Sequence, residues 1–289
     1  MKYQFIEENR EAHSVEMMAN LLGVHRSGYY AWRNRQESDR DQYDKQLVKE
    51  TEVIQLENRY CYGSPRVTEA LAARGFVAGH NKIARLMKEN GLGAKKRKSF
   101  RITTQSKKGQ YIAPNLLERN FSADSANQVW VSDITYVLTV EGWLYLCVIL
   151  DLHSRRVVGW SMGERIDAQL VCKALLMAIV SRRPPHGLLF HSDRGSQYAS
   201  KQFLGIIKRN GFRQSMSRKG NCWDNACSES FFGSFKNELI GDYIYRTREE
   251  ARSEIFNYIE VFYNRKRLHS YLGYLSPESF ENQSCRMES

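Results

Sequence analysis

Cysteine is sparse in this chain and poorly spaced for metal or disulfide work. Its six cysteines are Cys61, Cys147, Cys172, Cys222, Cys227 and Cys285. None form a CxxC pair, and Cys222 and Cys227 have no nearby histidine pair to complete a zinc site. A few reduced thiols in a cytosolic protein are the expectation. Apolar runs are short as well: none reaches about 18 residues, so no membrane-spanning helix is expected. The opening "MKYQFIEENREAH" is polar and acidic, which argues against a secretory leader. No sustained heptad pattern points to a coiled coil. Acid is outnumbered by base, 32 residues to 43, for a formal charge of +11. A protein this basic meets a polyanion, nucleic acid first, unless its cations only face water.

What is present divides the chain. Hydrophobic residues make up 42% of the 289, enough for packed domains. Residues 1–124 carry 22 Lys and Arg against 15 Asp and Glu, and the remainder carries 21 against 17. The positive excess therefore leans to the first part. "SVEMMANLLGVHRSGYYAWRNR" has the outline of a helix-turn-helix over residues 1–40. Ser14 is a cap, Met17, Met18, Leu21 and Leu22 an apolar face, Gly23 a turn, and the second helix is basic. The same outline also fits any small helical hairpin. A second helical unit over 41–94 has Pro65 at a first-turn position and Ile83, Leu86 and Met87 at helical spacing. An acid-free stretch, "GLGAKKRKSFRITTQSKKG", opens a basic linker over 95–124 that is expected to lie along phosphates.

From Asn127 the pattern becomes β-rich. "QVWVSDITYVLT", "WLYLCVILDLHSR" and "RRVVGWSMG" read as three consecutive antiparallel strands. A helix capped by Asp167, the strand "GLLFHSD", a helix capped by Ser200, the strand "FRQSM" and a helix through "DNACSESFFGSFKNELI" follow. The order βββαβαβα predicts an α/β fold with a mixed sheet over 125–240. Residues 241–289 read as a C-terminal helical extension.

Three carboxylates stand out. Asp133 interrupts the first strand, Asp193 ends the fourth, and Glu229 follows Asp193 after 35 intervening residues, on the last helix. Singly, each has an ordinary reading: an edge-strand residue, a turn cap beside Gly195, a helix-surface charge. Together they suit divalent metal. Hard oxygen ligands hold Mg²⁺ while leaving room for phosphate and water. Two ions about 3.5–4 Å apart activate the attacking oxygen and steady the leaving one in phosphodiester chemistry. Without a cation, three close anions repel. Lys236, seven residues past Glu229, projects near the same helix face, within reach of a phosphate. Phe231, Phe232 and Phe235 are expected to anchor this helix to the sheet.

The stretches "NQVWVSDITYV", "YLCVILDLHSRRVVGW", "FHSDRGSQY", "SRKGNCWDNACSESFFGSFKNE" and "FYNRKRLHSYLGYLSPESF" carry a resemblance. The chain resembles bacterial insertion-sequence transposases of the DDE class, in particular the second-open-reading-frame product of copy-out, paste-in elements. Retroviral integrases are more distant relatives of that core. The resemblance implies an RNase H-like catalytic core preceded by a helix-turn-helix DNA-binding region. It implies Asp133, Asp193 and Glu229 as catalytic and metal-binding residues, and Lys236 at the family's basic position. Mg²⁺ or Mn²⁺, two ions in the active complex, is the implied cofactor. The implied chemistry is cleavage at element ends, followed by direct attack of the freed 3′-hydroxyl on a phosphodiester. The expected partners are terminal-repeat and target DNA, further copies of the chain on that DNA, and the upstream-frame protein or a fusion with it. Cytoplasmic, nucleoid-associated localisation follows. Candidate DNA contacts are Lys236, Arg26, Arg33, Lys95, Lys96, Arg97, Lys98, Arg265 and Arg267; for the segment holding the last two, a structural role is equally open. The competing reading is a non-catalytic helix-turn-helix regulator, which leaves the three carboxylates without a purpose.

Overall fold

The computed structural model describes residues 1–95, 112–218 and 225–287. The basic residues Lys96, Arg97 and Lys98 lie outside the described residues, as does most of the expected linker. The chain divides into two compact units, Met1–Glu50 and Thr51–Ser289.

In the first unit, α1 (Lys2–Asn9), α2 (Val15–Leu21) and α3 (Arg26–Arg33) enclose a small core of Ile6, Met18, Ala19 and Tyr29. Ser14 caps α2 by accepting from the Met17 amide at 3.2 Å. Gly23, at φ +61°, makes the turn that a side chain would strain. The apolar face of α2 is narrower than its sequence predicts. Met18 is buried, whereas Met17 is 49% and Leu21 82% exposed. The reason is α1, which closes the core with Ile6 and leaves only one side of α2 covered.

The second unit starts within α4 (Asp39–Glu57) and continues through α5 (Ser64–Ala73) and α6 (His80–Glu89). Pro65 sits in the first turn of α5, and Ile83, Leu86 and Met87 are buried, as their spacing predicts. After residue 128 come β1 (Val129–Thr139), β2 (Gly142–Asp151), β3 (Val157–Gly163), α7 (Ala168–Arg182), β4 (Leu189–Ser192), α8 (Lys201–Arg209), β5 (Arg213–Met216) and α9 (Ala226–Phe235). The five strands lie in the order β3-β2-β1-β4-β5. The first three are antiparallel, and β1, β4 and β5 run parallel. Asp167 and Ser200 cap α7 and α8 through the Leu170 and Phe203 amides.

Strand periodicity sorts side chains onto two faces. Trp130, Cys147, Ile149 and Phe190 pack under α7 and α8. Val131, Val137, Leu144, Leu146 and Val148 pack under α9 and the segment after it. Gly159 on β3 lets α7 approach closely, because a Cβ there would stand 2.4 Å from the Ala174 carbonyl.

The segment after α9 belongs to the same packed body. A π-helical turn, Lys236–Ile240, continues α9; α10 (Arg248–Phe256) runs into a second, Asn257–Tyr263, and α11 is Pro277–Met287. Ala251, Ile255, Tyr258, Ile259 and Phe262 complete the cluster beneath β1 and β2. Asn264 uses its side-chain amide as a substitute strand on edge strand β3, donating to the Val157 carbonyl at 3.0 Å and accepting its N–H at 2.9 Å.

Candidate active site

The parallel pairing of β1 with β4 ends at Ser132 opposite Ser192. Beyond that point β1 continues to Thr139, paired along its length with β2 and bridged at its end to Tyr245. A notch therefore opens at the carboxyl end of the parallel strands, beside the strand where the sheet changes direction. Asp133 and Asp193 are the first residues past that last pair. Alternation along β1 puts Asp133 on the face of Val131 and Val137, the face that α9 covers.

Each aspartate is fixed by local backbone. Asp133 accepts from the Ile134 amide at 2.7 Å, and Asp193 accepts from the Gly195 amide at 2.9 Å. The second is an Asx turn, which explains the glycine two residues on. Beneath them, Ser132 and Tyr198 share a buried hydroxyl contact at 2.9 Å. The Asp133 carboxyl is pushed up to about 8, first by burial, then by Asp193, against the opposing Ile134 hydrogen bond; Glu229 adds to the rise and Lys236 opposes it. Burial also raises Asp193 and Glu229.

The two aspartates thus form an electrostatic unit, with Glu229, in the first turn of α9, inside its field. Among the described residues no three His, Cys, Asp or Glu groups already stand close enough to cage an ion. The donor set nonetheless fits a divalent cation. It consists of carboxylate oxygens only, and a divalent cation would relieve the burial and repulsion that raise Asp133. Asp151, also buried in the sheet, is different. It accepts from the Asn127 and His153 amides at 2.7 and 2.9 Å and from the Trp130 indole at 3.3 Å, and has the Arg182 guanidinium 4.0 Å away.

Phe231, Phe232 and Phe235 are buried and pin α9 to the sheet, as expected. Lys236 is half-buried, its ammonium 4.9 Å from the centre of the Tyr136 ring. The other basic candidates scatter. Arg26 and Arg33 lie in the first unit, 59% and 40% exposed, each 3.6 Å from a glutamate, Glu16 and Glu7. Lys95 is exposed, and Arg265 is 61% exposed with Glu278 at 3.8 Å.

Arg267 requires a correction. It is 2% exposed and cannot touch a phosphate. Its guanidinium donates to Glu238 at 2.6 and 2.7 Å, to the Ser234 hydroxyl at 3.0 Å, and lies 3.1 Å from the His269 ring. Burial pulls the Arg267 pKa down, but the hydrogen bonds and charge of Glu238 outweigh it and hold it raised. Sequence reasoning missed Glu238, although a signal existed: it continues the apolar stripe of Phe231 and Phe235 at i+7 and i+3, where a carboxylate requires a partner.

A mixed sheet with two aspartates where its parallel pairing ends suits metal-assisted phosphodiester chemistry. Comparison with known proteins agrees. Models described as integrase core domain match residues 123–222 and 229–285, and one described as HTH-like domain matches 42–100. The chain is 44% identical over 286 residues to the transposase InsF for insertion sequence IS3A of Escherichia coli, covering 98% of this chain and 99% of that one. It is 47% identical over 270 residues to the insertion element IS600 uncharacterized 31 kDa protein of Shigella sonnei, covering 93% and 99%. Among solved structures, the HTLV-2 integrase catalytic core domain in complex with magnesium aligns at TM-score 0.41 and 17% identity, over 54% of this chain and 96% of that one. The simian T-cell lymphotropic virus intasome aligns at 0.45 and 15%, over 76% and 70%. The chain belongs to the insertion-sequence transposases with an integrase core, and it is a DNA transposase.

Proposed function

We propose that Asp133, Asp193 and Glu229 carry the transposase reaction, cutting the ends of an insertion sequence and joining the freed 3′-hydroxyl to a second phosphodiester. The observation that supports this most is the placement of Asp133 and Asp193 side by side where the parallel pairing stops, each raised in pKa. The three carboxylates would hold Mg²⁺ or Mn²⁺. Such ions, when bound, supply activation of the attacking oxygen and charge stabilisation at the leaving one.

The remaining work falls to the chain itself. The Ile134 and Gly195 amides aim the two aspartates. The phenylalanines of α9 set the depth of Glu229. Lys236, held against Tyr136, presents a cation to a phosphate beside the notch. The α4–α6 module reads terminal-repeat DNA, and exposed Lys95 and Arg265 neutralise phosphates along its path; Arg26 and Arg33 do so from the first unit. Two ends must be held together for joining, so the active form is an oligomer on DNA, with or without the upstream-frame protein.

The test is cleavage and joining on a labelled duplex of the element's terminal sequence, with Mg²⁺ or Mn²⁺, comparing wild type with Asp193→Asn. Joined products from wild type alone are expected. Equal product from both would remove Asp193 from the reaction.

A further inference from the structure

Two stretches distant in sequence meet behind the carboxylate helix: "YCYGSPRV", residues 60–67, which runs into α5, and "NRKRLHSYLGY", residues 264–274. The structure joins them through one side chain. Tyr62 is 1% exposed, and its hydroxyl accepts from the Leu268 amide at 2.8 Å and lies 3.4 Å from the Lys266 carbonyl. Those are the two chain neighbours of Arg267. On the other side, the Tyr62 carbonyl is held by the Gln55 amide at 2.8 Å, and the same amide holds the Leu92 carbonyl just past α6 at 2.8 Å.

A contiguous series of contacts results. It runs from the end of α6 through Gln55 to Tyr62, then to the backbone around Arg267. The Arg267 guanidinium continues it to Ser234 and Glu238, on the helix that carries Glu229 and Lys236. Glu238 is also fixed by the Tyr258 hydroxyl at 2.9 Å. His269 completes the set: burial and the neighbouring Arg267 push its pKa down to about 2, so it stays neutral and offers Arg267 a lone pair.

A cavity of about 680 Å³, bordered by Glu69, Arg74, Lys266 and Tyr274, parts α5 from the 266–275 loop beside Tyr62. Arg59 is a second tie, its guanidinium 5.8 and 5.6 Å from the Tyr258 and Phe262 ring centres and 3.9 Å from Glu254. Tyr62 is the tie that reaches the backbone on both sides of Arg267, so a change in how the helical module sits passes into the loop there. It arrives at a π-helical turn, a rare form of helix that occurs mostly as single turns and is frequent at functional sites.

We infer that Tyr62 and the Glu238–Arg267 pair are positioning residues that set the Glu229 helix according to the seating of the α4–α6 module on DNA. The inference rests on the DNA-reading role proposed for that module. It makes cleavage conditional on end binding, a check on cutting elsewhere.

The test uses the full chain and a duplex of the element's terminal sequence, with amide hydrogen exchange over residues 226–240 as the readout. In wild type, end binding is expected to slow exchange there. In Tyr62→Phe, the duplex still binds but the slowing is lost, and strand transfer falls about a hundredfold, the loss a displaced catalytic group produces. Equal slowing in both proteins, or none in wild type, overturns the inference. Should Tyr62→Phe fold poorly, Glu238→Leu with Arg267→Met removes both buried charges together and is expected to show the same loss of slowing. The exchange readout does not require activity, so failure of the proposed chemistry, read with Asp193→Asn, is seen separately.

Discussion

Two places in the Thr51–Ser289 unit keep charge away from water, and they are built in opposite ways. At Glu238 and Arg267, opposite charges meet in paired short hydrogen bonds, and Ser234, Tyr258 and His269 engage the atoms around them. At Asp133 and Asp193, like charges are set together, with the Ile134 amide donating to the first and the Gly195 amide to the second. The first arrangement is complete as it stands. The second is stable only when a proton or a cation enters it. Incomplete electrostatics thus mark the place proposed to react, and completed electrostatics mark the pair inferred to aim it.

The comparison is broken most forcefully by Asp193→Asn. Loss of strand transfer by about a thousandfold or more is expected, with folding intact, since one source of repulsion has gone; a labelled-duplex assay beside a thermal melt checks both. Arg267→Met is expected to do the reverse, destabilising the fold by about 3–5 kcal/mol because Glu238 is left buried without its partner. Denaturant unfolding measures that loss, and adding Glu238→Leu should recover most of it. Recovery in the double variant is the point at which the paired site and the carboxylate site differ.

The pH dependence sharpens the contrast. Burial and the neighbouring Asp193 push the Asp133 carboxyl up to about 8 in the folded chain, against about 3.9 in an unfolded one. Between those values the folded state holds the extra proton, so without divalent ions stability should fall as pH rises through that window. Asp133→Asn should flatten the fall. Mg²⁺ should bind more tightly as pH rises towards 8, because it competes with that proton. Melting temperatures across pH, with and without Mg²⁺, test both statements; a flat profile in the wild type would contradict them.

A smaller effect is expected at edge strand β3. Asn264→Ala strips the Val157 N–H and carbonyl of their side-chain partners and should cost about 1–3 kcal/mol in denaturant unfolding. The smallest belongs to Arg265→Ala, at about 0–1 kcal/mol, because its pair with Glu278 is exposed. If Arg265 meets a phosphate, the same variant lowers the salt slope of DNA binding by about one.

Much of the catalytic sheet could be read from residue order. β-branched and aromatic runs separated by Glu141-Gly142 announced β1 and β2, and Asp167 and Ser200 announced the helices they cap. The carboxylates were legible because an acid inside or at the end of an apolar strand conflicts with its surroundings. α1 was not foreseen, because its sequence is polar apart from buried Ile6, half-buried Tyr3 and exposed Phe5. The C-terminal basic cluster misled for a related reason. Arg265 and Arg267 are two residues apart and alike in type, and nothing local says that one faces water while the other is enclosed.

Alternation, capping and helical spacing act between near neighbours, so they were already decided in the chain: the order of the elements, the face on which Asp133 projects, the burial of the α9 phenylalanines. Which charges would be satisfied was not. That Ser132 meets Ser192 and leaves Asp133 beside Asp193, and that Arg267 reaches back 29 residues to Glu238, depends on segments distant in sequence packing together. The energy of a buried charge is set by what surrounds it in three dimensions, and no local pattern carries that information.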